Sequence, residues 1–154
     1  MKVCTDACLF GAFVANFHPD SYREPIANCL DIGTGTGLLS LMLAQKTNSI
    51  VDAVEIDEAA CQQAKENFEA SPWASRLNVF NTDILNYTSR RKYDCIISNP
   101  PFFEDDLKSA NEGKNIAKHD NALTMKQLLP VINAYLAATG FFAILLPFHR
   151  VAQF

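Results

Sequence analysis

The residues of this chain best suited to chemistry are Asn99-Pro100-Pro101-Phe102, which follow the apolar run Tyr93-Asp94-Cys95-Ile96-Ile97-Ser98. A carboxamide offers an acceptor oxygen, and an aromatic ring offers a face on which a planar group can stack. The two prolines hold both on a stiff turn. Each proline fixes its own φ and removes a ladder donor, and each pushes the preceding residue towards extended torsions. The strand therefore stops at Asn99, with acceptors beside a stacking surface, which is what gripping a planar amine requires. A Pro-Pro turn after a strand is in most cases only a loop, so the weight falls on what the rest of the chain brings to it.

Upstream, Asn28-Cys29-Leu30-Asp31-Ile32 reads as a strand running into Gly33-Thr34-Gly35-Thr36-Gly37. Leu38-Leu39-Ser40-Leu41-Met42-Leu43-Ala44 then continues as a helix apolar almost all round, hence buried. Strand, glycine turn and helix make the first half of a nucleotide-binding βαβ unit. Gly33, Gly35 and Gly37 let the backbone pass close to a ligand, Thr34 lies between the first two, and the helix N-terminus offers free N–H groups. The spacing is G-x-G-x-G, and Leu38 stands where a dinucleotide fingerprint places its third glycine. That favours S-adenosylmethionine, which has no phosphate, over a pyrophosphate cofactor.

The next strand, Ile50-Val51-Asp52-Ala53-Val54-Glu55-Ile56-Asp57, ends in carboxylates about twenty positions after the glycines, the distance expected of a ribose ligand. Glu55 is the candidate for the ribose hydroxyls, and Asp57 also caps the following helix. A third station, Asn81-Thr82-Asp83-Ile84, follows the strand Leu77-Asn78-Val79-Phe80. A polar side chain there can accept from the adenine amino group while Ile84 or Ile56 packs on the ring. Asp83 can equally be the cap of a turn over 84–87, and both readings stand open.

Positioning these stations requires a sheet. The pattern predicts a helix over 6–15, strand 28–32, helix 36–46, strand 50–56, helix 58–70, strands 76–80 and 93–98, helix 124–138 and strand 140–147. Thr124-Met125-Lys126-Gln127 is a capping box for the last helix. Continuous apolar strands alternating with helices mean an α/β fold, a parallel sheet with helices on both faces. Ligands bind such sheets at strand carboxyl ends near the topological switch point, where every station above falls.

At 154 residues the chain is long enough for one domain with its own core. The five cysteines (Cys4, Cys8, Cys29, Cys61, Cys95) include no C-x-x-C pair and read as reduced core residues of a cytoplasmic protein. The three histidines lack metal spacing, and the run at 141–148 is too short to cross a bilayer, so neither metal nor membrane is expected. A net charge of −4 counts against broad nucleic-acid affinity, because phosphate contacts dominate such binding. Arg90-Arg91-Lys92 reads as a solvated turn. The polar segment 104–121, punctuated by Lys108, Lys114, Lys118 and His119, is the candidate substrate-contacting element.

L-D-I-G-T-G-T-G at 30–37, V-E-I-D at 54–57, T-D-I at 82–84 and N-P-P-F at 99–102 resemble class I S-adenosylmethionine-dependent methyltransferases that modify an amine nitrogen. The opening Met1-Lys2-Val3-Cys4-Thr5-Asp6-Ala7-Cys8-Leu9-Phe10-Gly11-Ala12 resembles the start of bacterial tRNA (adenine-N(6))-methyltransferases, which act on the adenosine beside the anticodon of valine tRNA. Ile116-Ala117-Lys118-His119 is similar to that family's A-R-H stretch, with lysine in place of arginine and so without the bidentate fork. The resemblance implies a Rossmann-like class I methyltransferase domain over 1–154, incomplete at both ends and lacking the family's terminal antiparallel strand pair. It also implies S-adenosylmethionine as cofactor and tRNA as partner. Asn99 and the Pro100 carbonyl would accept the two N–H bonds of an adenine amine, Phe102 would stack on the base, and Asp31 and Asp6 would address the cofactor's ammonium. Phe103 is either a second stacking surface or a core residue. Other acceptors with a planar amine fit the same motif: guanine in rRNA, adenine in DNA, or a protein glutamine. An inactive, truncated relative that binds only cofactor or a partner protein is a further alternative. A Rossmann dehydrogenase is the third, and Leu38 argues against it.

Overall fold

The computed structural model describes residues 5–17, 25–100 and 123–148. Pro101, Phe102, Phe103 and the segment 104–121 therefore lie outside the described residues, as does Cys4. Five short apolar runs form one parallel sheet: β1 (Asn28–Ile32), β2 (Ile50–Glu55), β3 (Leu77–Asn81), β4 (Tyr93–Ser98) and β5 (Leu136–Ile144). Their spatial order is β3-β2-β1-β4-β5. From β1 the chain first winds outward through β2 and β3, then returns to β1's other side with β4. The switch point thus lies between β1 and β4, where Asp31 pairs with Ile97 on one side and Ala53 on the other.

Alternate residues of each strand face opposite layers. One face is covered by α1 (Thr5–Asn16), α2 (Leu38–Lys46) and α3 (Glu58–Glu69). Val14, Leu39, Leu43, Ala64 and Phe68 there pack on Cys29, Val51, Ala53, Cys95 and Ile97. The other face is covered by α4 (Met125–Tyr135) and the β3–β4 connection, whose Leu128, Ile132, Ile84 and Tyr87 pack on Leu30, Ile32, Val54 and Ile96. Each such aliphatic side chain contributes about 1.5–3 kcal/mol when fully buried. The buried cysteines Cys29, Cys61 and Cys95 are free thiols within this packing.

Local signals fix the helix starts. Asp57 accepts from the Ala60 N–H at 2.8 Å. Thr124 and Gln127 form a reciprocal capping box, in which the Thr124 N–H donates to Gln127 Oε1 at 3.0 Å. α2 begins at Leu38 rather than 36, because Gly37 at its N-cap sits at φ +85° and cannot be part of a right-handed turn.

Two further expectations are corrected. The last helix ends at Tyr135, not 138, and β5 starts at Leu136 instead of 140. Leu136 is drawn into register with Tyr93, and a bulge between Tyr93 and Cys95 takes up the extra residues. Gly140 makes the bulge possible: a Cβ there would stand 2.9 Å from the Tyr93 carbonyl oxygen. The basic run is also not simply a solvated turn. Arg91 pairs with buried Asp52 at 3.0 Å, and Lys92 Nζ donates to the Ala134 carbonyl. Both charges hold the chain just ahead of β4, at the strand end opposite Asn99.

Candidate functional site

The cleft that the sheet presents at its carboxyl ends has a volume of about 1120 Å³. The glycine turn after β1 forms its floor. The N–H groups of Gly33 and Thr34 both donate to the Val54 carbonyl, at 2.9 and 3.1 Å, which fastens the turn to the end of β2. Gly33 and Gly35 adopt φ of +71° and +60°, conformations that side chains resist. From β2, the Glu55 carboxylate completes the turn: Oε2 accepts from the Gly35 N–H at 2.7 Å and Oε1 from the Asp57 N–H at 2.9 Å. An ionised carboxylate has about four lone-pair sites, so each oxygen keeps room for a further donor. Asn67 on α3 adds a third tie, donating to the Thr36 carbonyl at 2.9 Å.

Most residues predicted for the site converge here. Gly33, Thr34, Gly35, Glu55 and Ile56 line the cleft, with Asp83 and Ile84 on one wall and Asp6 on another. Asp83 serves as a cap as well, its Oδ1 accepting from the Leu85 N–H at 2.9 Å. Asn99 and Pro100 border the same cleft at the end of β4. That end is fixed by the Ser98 hydroxyl, which donates to the Ile32 carbonyl at 2.9 Å, and by the Leu145 N–H, which donates to the Ser98 carbonyl at 3.0 Å. Pro101 and Phe102, the other half of the turn, lie outside the described residues.

Two predicted residues stand behind the cleft instead of in it. Gly37 is a packing glycine: a Cβ there would fall 2.4 Å from the Phe68 ring. Asp31 is wholly buried, and its Oδ2 accepts from the Thr34 and Ser40 hydroxyls at 2.6 and 2.7 Å. Its Oδ1 has no hydrogen-bond partner among the described residues. Burial pushes the Asp31 carboxyl up to about 6, opposed only in part by the two hydroxyls. Its place in the structure is to brace Thr34 from beneath.

Comparison with known proteins adds the family. The methyltransferase small domain family model matches residues 12–145, most of the chain. The chain belongs to that family. It is similar to a tRNA1(Val) (adenine(37)-N6)-methyltransferase of Dyadobacter fermentans, 46% identical over 155 residues, covering 100% of this chain and 62% of the relative. The counterpart in Cytophaga hutchinsonii is 43% identical, covering 100% of this chain and 63% of its own. The chain thus spans under two thirds of the length of these curated relatives. Among solved structures, a SAM-dependent methyltransferase of Geobacter sulfurreducens in complex with S-adenosyl-L-homocysteine superposes with a TM-score of 0.62 at 17% identity, covering 92% of this chain and 47% of that one. Coclaurine N-methyltransferase, bound to N-methylheliamine and S-adenosylhomocysteine, gives 0.63 at 19% identity, covering 94% and 38%. These likenesses share the Rossmann-like fold.

In this methyltransferase small domain, several cleft residues escaped the sequence reading. Ala59, Ala60 and Gln63 present one face of the first two turns of α3. Their i, i+1, i+4 spacing was a usable signal once α3 is known to start beside Glu55. Leu145, Leu146 and Pro147 line the cleft because they follow β5, so the rule that ligands sit at strand carboxyl ends was sufficient to find them. Leu123 had no signal, since it enters only through the packing of α4. Among the described residues, no group of three or more His, Cys, Asp or Glu could hold a metal ion, and no helix is long and apolar enough to cross a membrane.

Proposed function

We propose that this domain binds S-adenosylmethionine and transfers its methyl group to the exocyclic N6 amine of the adenosine beside the anticodon of valine tRNA. The observation that carries this reading is convergence: the glycine turn, more than sixty positions before Asn99, and Glu55, more than forty before it, border one cleft with the Asn99-Pro100 turn. The residues fit the cofactor. Glu55 keeps open acceptor sites for two ribose hydroxyls, Ile56 and Ile84 offer apolar faces for a purine, and Asp6 stands on the cleft wall for an ammonium. Bound there, the cofactor supplies an electrophilic methyl carbon on a sulfonium.

The chain's own residues do the rest by position. An aromatic amine is a poor nucleophile because its lone pair is spread into the ring. The Asn99 side-chain oxygen and the Pro100 carbonyl accept its two N–H bonds, drawing the nitrogen towards tetrahedral geometry with its lone pair turned into the cleft. With the cofactor held by Glu55 and the glycine turn, its methyl would pass to the nitrogen and leave the thioether behind; the alkylated nitrogen so held by Asn99 and Pro100 would release its proton to solvent, so no strong general base is needed. Holding two reactants in line removes about 7–11 kcal/mol of barrier in favourable cases. Phe102 is assigned to stack on the base, and the segment 104–121 to contact the RNA. A tRNA substrate also sets the work in the cytoplasm. The curated relatives' names support this acceptor.

The test is transfer of a tritiated methyl group to total tRNA, rRNA, DNA and protein offered in parallel. Label in tRNA that digests to N6-methyladenosine is expected. Asn99→Ala is expected to lower transfer by about 100-fold or more, the scale for losing one aligned polar group, with S-adenosylhomocysteine affinity little changed. Label in another acceptor would move the substrate assignment. No label, with cofactor binding intact, would leave a cofactor-binding domain alone.

A further inference from the structure

The β3–β4 connection carries Asp83 and Ile84 into the cleft, yet its regular structure is limited to one turn. Its upstream end is tied to β2: the Thr82 N–H donates to the Glu55 carbonyl at 3.0 Å, and Asn81 Nδ2 donates to the same carbonyl at 3.0 Å. Its downstream end is tied to a polar group buried in the core on the far side of the sheet from the glycine helix. Asp52, in the middle of β2, is 4% exposed. Its Oδ2 accepts from Arg91 Nη1 at 3.0 Å and from the Tyr93 hydroxyl at 2.8 Å, and its Oδ1 accepts from Asn78 at 2.9 Å.

The hydrogen-bond directions follow from the chemistry. A carboxylate only accepts, so the Tyr93 proton goes to Asp52, and the Tyr87 hydroxyl, 2.8 Å from that of Tyr93, must donate to it. Burial pushes both phenols upward, so both protons stay in place. Tyr87 closes the turn that begins at Asp83, its N–H donating to the Ile84 carbonyl at 3.3 Å. Its own carbonyl accepts from the Tyr135 hydroxyl, and its ring lies 5.4 Å from that of Phe80. The wall of the cleft is therefore suspended between Glu55 at one end and Tyr87 at the other.

With Asp52 buried and Arg91 partly in solvent, this ion pair is a weak source of stability, because desolvation of the carboxylate and screening of the guanidinium offset the attraction. What such a pair does supply is directional fixation. We propose that the Asp52–Arg91–Tyr93–Tyr87 network is a positioning device that sets the Asp83–Ile84 wall against the nucleoside half of the bound cofactor. Arg91 and Tyr87 act through the turn and touch no ligand. This rests on the cofactor reading given above.

The experiment measures the affinity of the full chain for S-adenosylhomocysteine and for 5′-methylthioadenosine by calorimetry, alongside thermal unfolding. The variants are Tyr87→Phe, which keeps the ring in the core, Arg91→Ala, Arg91→Lys, and Arg76→Ala as a destabilised control away from the cleft. Tyr87→Phe and Arg91→Ala are expected to weaken both ligands by a common factor of about five, the scale of coupling within a hydrogen-bonded network. The common factor arises because only the shared nucleoside half meets the wall. The KM for cofactor should rise with kcat at saturation unchanged, Arg91→Lys should recover most of the loss, and Arg76→Ala should bind both ligands like the wild type. Unchanged affinities in a folded Tyr87→Phe protein would overturn the proposal, and so would an equal loss in Arg76→Ala. Should the wild type bind neither ligand, the cofactor reading itself falls and this proposal with it.

Discussion

Asp31 is expected to make the protein less stable at neutral pH than at acid pH. Its carboxyl is wholly buried beneath the glycine turn, and burial raises it from 3.8 to about 6. The folded state therefore holds the proton more tightly than the unfolded chain does. The contribution to stability is complete below pH 3.8 and is lost as pH rises through about 6. A difference of about two pH units corresponds to about 3 kcal/mol, of which about 2 kcal/mol falls between roughly pH 4.5 and 8. The perturbation is Asp31→Asn, which removes the titration while still accepting from Thr34 and Ser40. Urea unfolding of both proteins across that range gives the stability difference, wild type minus variant, with every other titrating group cancelled. The difference should fall by about 2 kcal/mol as pH rises, most steeply between pH 4 and 6. A flat difference, or one that grows with pH, would refute the reasoning and mean that the two hydroxyls hold Asp31 ionised as readily as water does.

Gly37→Ala brings a Cβ to 2.4 Å from the Phe68 ring at a residue with φ +85°, so overpacking and strain act together. A loss of about 2–4 kcal/mol is expected in denaturant unfolding, since each effect alone costs about 1–3 kcal/mol. Arg76→Ala removes a guanidinium that donates to the carbonyls of Ala44, Thr47 and Ser49 at 2.9–3.0 Å, closing the end of α2. About 2 kcal/mol of stability should go, with the cleft untouched, as checked by thermal melting. Glu55→Gln places an amide donor against the Gly35 or Asp57 N–H group that the carboxylate now accepts from. Its affinity for S-adenosylhomocysteine should fall by about tenfold or more by calorimetry, because the turn loses a tie and, on the ribose role proposed for Glu55, one acceptor goes with it.

The sequence by itself determined most of what is encoded within about twenty residues, element boundaries apart. The strand–glycine turn–helix unit, the carboxylate at the end of β2, the Asp57 cap and the Thr124 capping box all follow from turn chemistry and apolar periodicity. The prolines at 100 and 101 likewise end β4 wherever β4 is placed. The alternation of these elements was sufficient for a parallel sheet with a cleft at its strand carboxyl ends.

What only the tertiary structure decided is which side chains meet once the strands take the order β3-β2-β1-β4-β5. Asp31 looked like a cofactor residue, but its alternate-face position turns it beneath α2, where Ser40 and Thr34 take its oxygen. Gly37 looked like a ligand-facing glycine, yet the space it leaves is filled by Phe68, thirty-one positions on. Arg91 is exposed, as a solvated turn requires, yet it also reaches Asp52, thirty-nine residues earlier on β2, two strands away from β4. Local chemistry fixes what each segment can form; the burial of a charge, or the filling of a glycine's empty side, depends on packing between segments that meet only in the folded chain.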